Sequence, residues 1–141
     1  MARRFWDANI FIYLFEHNPE WSHRVIESRK KMLARGDHLL TSWLAVGEVL
    51  TKPKALRNAI LEMSYLNFFM SGAVEAIAFD FDAAKRYSEI RSVERVRPAD
   101  SIQLACAAAA GTDLFVTNDN RLSQLVVPGI TFITGIERVP F

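Results

Sequence analysis

A chain of 141 residues, half of them hydrophobic and 23% charged, has enough apolar material to bury about two-thirds of its unfolded surface in one domain over residues 1–141. Its 17 Lys and Arg against 16 Asp and Glu leave a formal net charge of +1, which excludes a molecule-wide field for nucleic acid or membrane and makes any charge-based function local. The lone Cys106 excludes an internal disulfide and a cysteine-built zinc site, no leader pattern opens the chain, and its apolar stretches fall short of the roughly 20 residues that cross a bilayer, so a reducing, cytoplasmic setting without a membrane partner is expected.

In chain order, Arg3 to Asp7 reads as a short strand running into an aspartate, and Asn9 to Glu16 as a helix that stops before His17-Asn18-Pro19. Glu20 to Arg35 is helical with Gly36 just past its end, His38 to Ser42 is strand-like, and Leu44 to Leu50 returns to helix until Pro53, carrying Glu48. Lys54 to Met70 reads as one longer helix and Val74 to Phe79 as an alternating strand. Asp82 to Val93 is a helix opened by an aspartate suited to cap it. Pro98 suits a first helical turn, Ala99 to Ala110 is strong helix former, and Gly111 ends it. Leu114 to Thr117 is a buried-type strand followed by Asn118-Asp119-Asn120, and a last strand lies near Thr131 to Thr134.

This alternation predicts an α/β sheet fold with parallel strands joined by helices. Such sheets bind ligands in the crevice outside the carboxyl ends of their strands. Asp7 and Asp119 follow strands, and Glu48 and Asp100 sit on helices beside them, so four carboxylates are expected to converge there. Two unit charges about 4 Å apart repel by roughly 4 kcal/mol at an effective dielectric near 20, and a hard divalent cation relieves that cost. Mg²⁺ or Mn²⁺ takes oxygen ligands and lowers the pKa of a bound water, chemistry suited to phosphodiester hydrolysis. Each aspartate taken alone reads more simply as a turn or helix-end residue.

Four segments, "FWDANIFIY", "LLTSWLAVGEVL", "PADSIQLACAAAAG" and "LFVTNDNRL", resemble in order and spacing the signature segments of the PIN-domain ribonucleases, especially the VapC-type toxins of toxin-antitoxin systems. The resemblance covers nearly the whole chain. It implies a PIN-like fold, α/β in class and built as a three-layer α/β/α sandwich with a mostly parallel central sheet, a divalent-metal-dependent endoribonuclease leaving a 5′-phosphate and a 3′-hydroxyl, an RNA substrate, frequent homodimers, and an antitoxin protein that blocks the site. Carried over by position, it makes Asp7, Glu48, Asp100 and Asp119 the catalytic metal ligands, with Asn9, Ser42 and Thr117 orienting ligands or water. Ala8 departs from the pattern, since many members carry Ser or Thr there.

Arg97 and Arg121, next to Asp100 and Asp119, are expected phosphate contacts, whereas Arg24, Arg29, Lys30, Lys31 and Arg35 read mainly as a solvated helix face. His17, His23 and His38 show no zinc spacing and receive no role, and Cys106 reads as a small buried hydrophobe. Ala59 to Met70 is apolar around more than half its circumference, which fits core burial or a face for a second copy or an antitoxin. Two other readings stay open. A PIN-like RNA-binding or regulatory module without turnover is permitted by the hydroxyl missing at Ala8. A haloacid-dehalogenase-type phosphatase wants Asp-x-Asp, where this chain has Asp7-Ala8-Asn9.

Overall fold

A computed structural model describes residues 1–139. In chain order the elements are β1 (Arg3–Trp6), α1 (Ala8–Phe15), α2 (Ser22–Arg35), β2 (His38–Ser42), α3 (Trp43–Ala55), α4 (Ala59–Met70), β3 (Glu75–Ile77), α5 (Phe81–Val93), α6 (Pro98–Ala110), β4 (Thr112–Thr117) and β5 (Ile130–Gly135). The strands form one sheet in the order β3-β2-β1-β4-β5, and all of its pairings are parallel. Among the described residues no helix is long and apolar enough to cross a membrane.

The strand alternation assigns side chains to two cores. Phe5, Leu40 and Phe115 face α5 and α6, packing with Ile90, Leu104 and Ala105, and the Phe5 and Phe115 rings stack with centroids 4.9 Å apart. Trp6, Leu39, Leu114 and Val116 point the other way, against Ile10 and Phe11 of α1, Met32 of α2, Val49 of α3 and Tyr65 of α4. Helices therefore cover both faces, giving the three-layer α/β/α sandwich. Each fully buried large apolar side chain contributes about 2 kcal/mol of transfer free energy, which is why near-continuous apolar strands such as "LFV" read correctly as sheet buried on both sides.

Several boundaries differ from the sequence reading. The helix carrying Glu48 does not stop at Pro53 but continues to Ala55, with the proline buried inside it. The break falls instead at Leu56–Asn58: Arg57 adopts a left-handed φ of 53°, and the Asn58 side chain caps α4 by accepting from the Leu61 N–H at 3.1 Å. The stretch read as one helix from Lys54 to Met70 is thus split. Asp80, rather than Asp82, caps α5, accepting from the Ala83 N–H at 2.9 Å. Gly36 and Gly111 end α2 and α6 with φ of 72° and 71°, as their positions foretold.

Tyr65 is the one residue of α4 that is fully buried. Its hydroxyl donates to Glu16 Oε2 at 2.6 Å, and Lys52 reaches Glu16 Oε1 at 3.3 Å, so α1, α3 and α4 meet at one carboxylate. Leu61, Phe68 and Phe69 pack partly into the core beside Phe11 and Phe15, while Ile60, Met63 and Met70 are exposed. Core packing thus accounts for one side of this helix.

Candidate active site

Because the sheet is parallel, β1, β2 and β4 all end on the same edge. Register fixes the details: Trp6 lies opposite Val116, and the Asp7 N–H donates to the Val116 carbonyl at 3.2 Å, so Asp7 leaves the sheet level with Thr117. The Thr41 hydroxyl donates to the Trp6 carbonyl at 2.8 Å and ties the end of β2 to the same level. Ser42 then caps α3, accepting from the Ala45 N–H at 3.0 Å, and the second turn of that helix brings Glu48 over the edge. From the opposite layer the first turn of α6, opened by Pro98, presents Asp100.

Asp7, Glu48, Asp100 and Asp119 line one cavity of about 130 Å³, together with Ala8, Asn9, Arg97 and Gln103. The four carboxylates that the sequence placed on separate segments do share a site. Their surroundings differ. Asp7 caps α1 through the Asn9 N–H at 3.2 Å, and burial, helped slightly by the negative charge of Glu48, raises its pKa to about 7 despite a side-chain hydrogen bond with Thr117. Glu48 accepts from Gln103 Nε2 at 2.9 Å. The Gln103 Oε1 in turn accepts from the Ser42 hydroxyl at 2.5 Å, so a buried Ser42–Gln103 link holds the glutamate.

The other two carboxylates are paired with cations from the chain itself. Arg97 Nε lies 2.9 Å from Asp100 Oδ2, and Arg97 also approaches Asp119 at 3.9 Å. Arg121 grips Asp119 at both oxygens, Nε to Oδ1 at 3.1 Å and Nη2 to Oδ2 at 2.7 Å. The Arg121 hydrogen bond is the main reason the Asp119 carboxyl lies below its usual range. The repulsion that the sequence assigned to a metal is therefore also relieved by protein arginines, and Arg97 and Arg121 meet aspartates here.

Among the described residues no three His, Cys, Asp or Glu side chains cluster closely enough to chelate one ion. The donor chemistry nevertheless fits a hard cation: four carboxylates and no sulfur or imidazole face one small cavity, and Asp7 sits where burial and Glu48 disfavour its charge. Thr117, wholly buried, also accepts the Asp119 N–H at 3.1 Å, so one hydroxyl serves both the first and last aspartates. Asn9 contributes to the cavity wall.

Gln103 is the residue that sequence reasoning missed. Its signal was its place three positions after Asp100, hence on the same helix face, in a run otherwise rich in alanine. The basic residues of α2 do not line the cavity, and two are tied elsewhere: Arg24 donates to the Ile136 carbonyl at 2.8 Å and Arg29 to the Ala73 carbonyl at 3.4 Å. The three histidines are likewise outside the cavity, and Cys106 is buried in the α6 core.

The family model of the PIN domain matches residues 4–127. Among solved structures, the chain superposes on one from the Rickettsia felis VapBC2 complex bound to a promoter DNA fragment, with a TM-score of 0.72, 18% identity, and coverage of 94% of this chain and 98% of that one. The VapBC-5 toxin-antitoxin structure from Mycobacterium tuberculosis gives a TM-score of 0.61 at 20% identity, covering 94% and 98%. The M. tuberculosis toxin VapC20, described as cleaving the sarcin-ricin loop, gives 0.62 at 15% identity, covering 79% and 86%. No curated protein sequence matches the chain. These likenesses agree with the sheet order and the two helical layers, and with a family match over most of its length the chain belongs to the PIN-domain family.

Proposed function

We propose that the protein is a divalent-metal-dependent endoribonuclease and the toxin of a toxin-antitoxin pair. The observation that carries this reading is the convergence of Asp7, Glu48, Asp100 and Asp119 on one small cavity at the carboxyl edge of the sheet. Membership of the PIN family and the toxin-antitoxin assemblies among its structural neighbours support the same reading. Bound by these carboxylates, Mg²⁺ or Mn²⁺ would lower the pKa of a water and offset charge building on an RNA phosphodiester.

The chain's own groups have separable tasks. Gln103, fixed by Ser42, holds the Glu48 carboxylate towards the cavity. Thr117 steadies Asp7 by a side-chain hydrogen bond and Asp119 through its N–H. Asn9, at the rim, is a polar group for orienting water or substrate. Ala8 supplies no hydroxyl, and Thr117 provides one to Asp7 from the neighbouring strand end.

An antitoxin partner follows from the toxin reading, and a homodimer is carried over from the sequence, with the exposed Ile60, Met63 and Met70 of α4 as its candidate face. Light scattering that finds only monomer would remove the dimer. The test of the main reading is cleavage of an end-labelled RNA by the purified protein in Mn²⁺ or Mg²⁺ against EDTA. Metal-dependent products with 5′-phosphate ends are expected. RNA retained but uncut under every metal would favour the module without turnover, a reading to which the ion-paired Asp100 and Asp119 lend some weight.

A further inference from the structure

Arg97 and Arg121 have a second environment besides their aspartates. Both side chains are largely exposed, at 64% and 68%, and both line an adjoining cavity of about 200 Å³ with Glu94, Arg95, Leu122 and Leu125. Arg97, Asp100 and Leu122 belong to the walls of both cavities, so the two lie side by side. One holds an excess of carboxylates, and the other sets three arginines against Glu94 and Asp100.

A guanidinium stays protonated at any working pH, so these pairs persist wherever the aspartates are ionised. Asp119 has both oxygens engaged by Arg121, and Asp100 has one engaged by Arg97. A cation that takes Asp119 by the oxygens Arg121 grips displaces that arginine, and one that takes Asp100 through Oδ2 displaces Arg97. The displacement is feasible because exposed ion pairs are weak and exchange readily. A displaced arginine is left beside the second cavity with its fork free, and a planar fork suits the oxygens of a phosphodiester.

We propose that Arg97 and Arg121 are exchangeable counter-charges: they neutralise Asp100 and Asp119 in the metal-free site, and turn to phosphates of an RNA strand seated in the adjoining cavity once a cation holds those carboxylates. This rests on the metal-dependent nuclease reading and deepens it by naming a flanking-phosphate subsite. Two consequences separate it from a fixed phosphate contact. Removing the arginines tightens metal binding, and metal and RNA binding become coupled through them, reciprocally.

The experiment is calorimetric titration of Mn²⁺ into the RNA-free protein for wild type, Arg97→Ala, Arg121→Ala, Arg121→Lys and Asp100→Asn. Anisotropy of a labelled RNA oligonucleotide follows, with Mn²⁺ or EDTA, the RNA checked intact on a gel. Arg121→Ala is expected to bind Mn²⁺ roughly two- to fivefold more tightly than wild type. Arg121→Lys, which keeps the charge but loses the fork, should also bind more tightly. The gain in RNA affinity that Mn²⁺ gives wild type should fall by at least half in the Arg97→Ala, Arg121→Ala double variant. Equal or weaker Mn²⁺ binding in the variants, tightening in Arg121→Ala alone, or an unchanged Mn²⁺ gain would overturn the proposal. Mn²⁺ binding that Asp100→Asn leaves untouched, or no binding by any protein, would instead sink the nuclease reading, and the proposal with it.

Discussion

Replacing Asp7 by Asn should stabilise the metal-free protein, and more so as pH rises. The Asp7 pKa moves from an ordinary 3.8 to about 7, chiefly because burial disfavours its charge. An acid whose folded pKa is raised contributes stability that is complete below the unfolded value and is lost as pH climbs through the folded one. The loss therefore begins near pH 4 and is complete just above pH 7. A displacement of that size corresponds to roughly 4 kcal/mol. Asp7 keeps some contact with solvent at the cavity mouth, and we discount this to about 2 kcal/mol for screening. Asn caps a helix as well as Asp does, so the bond to the Asn9 N–H survives the change. Urea unfolding in EDTA at pH 5 and pH 8 measures the effect: the advantage of Asp7→Asn should be small at pH 5 and grow by at least 1 kcal/mol at pH 8. No advantage at pH 8, or one independent of pH, would refute the claim that Asp7 is a strained carboxylate.

Gln103→Leu breaks the Ser42–Gln103–Glu48 link, leaves a buried hydroxyl without its acceptor, and should cost about 1–3 kcal/mol in urea unfolding as well as lowering RNA cleavage. Gly129 has φ of 97°, and a Cβ there would lie 2.8 Å from the Ala108 carbonyl oxygen, so Gly129→Ala should lower stability by about 2 kcal/mol or more, read as a depressed Tm. Cys106 is buried and its thiol is pushed up to about 11, mainly by burial; a thiol reagent at pH 8 should label it only on unfolding, and rapid labelling of the native protein would contradict that placement.

The parts of the site that were legible in the sequence are those fixed by chain-local rules. Strand ends followed by Asp7 and Asp119, and Pro98 opening a helix that carries Asp100, follow from turn and cap chemistry, and a parallel sheet then gathers them on one edge. Gln103 was not legible because a glutamine in an alanine-rich helix reads as an ordinary helix former; only the approach of Ser42 and Glu48 from another layer gives it a task. The arginine pairs were half-legible. Arg97 and Asp100 are three apart on the helix entry and Asp119 and Arg121 two apart in a turn, spacings that favour local pairing over the phosphate contact read from charge alone. The break at Arg57 was missed because Pro53 looked the stronger punctuation, yet a buried proline was accommodated and Asn58, a ready cap, ended the run.

The most direct test of the central claim compares RNA cleavage in Mn²⁺ by wild type, Asp7→Asn and Asp100→Asn, each confirmed folded by circular dichroism. The account predicts cleavage by wild type that EDTA abolishes, and its loss in both variants. Full cleavage by either variant, or by wild type in EDTA, would contradict a metal-dependent nuclease built on these carboxylates.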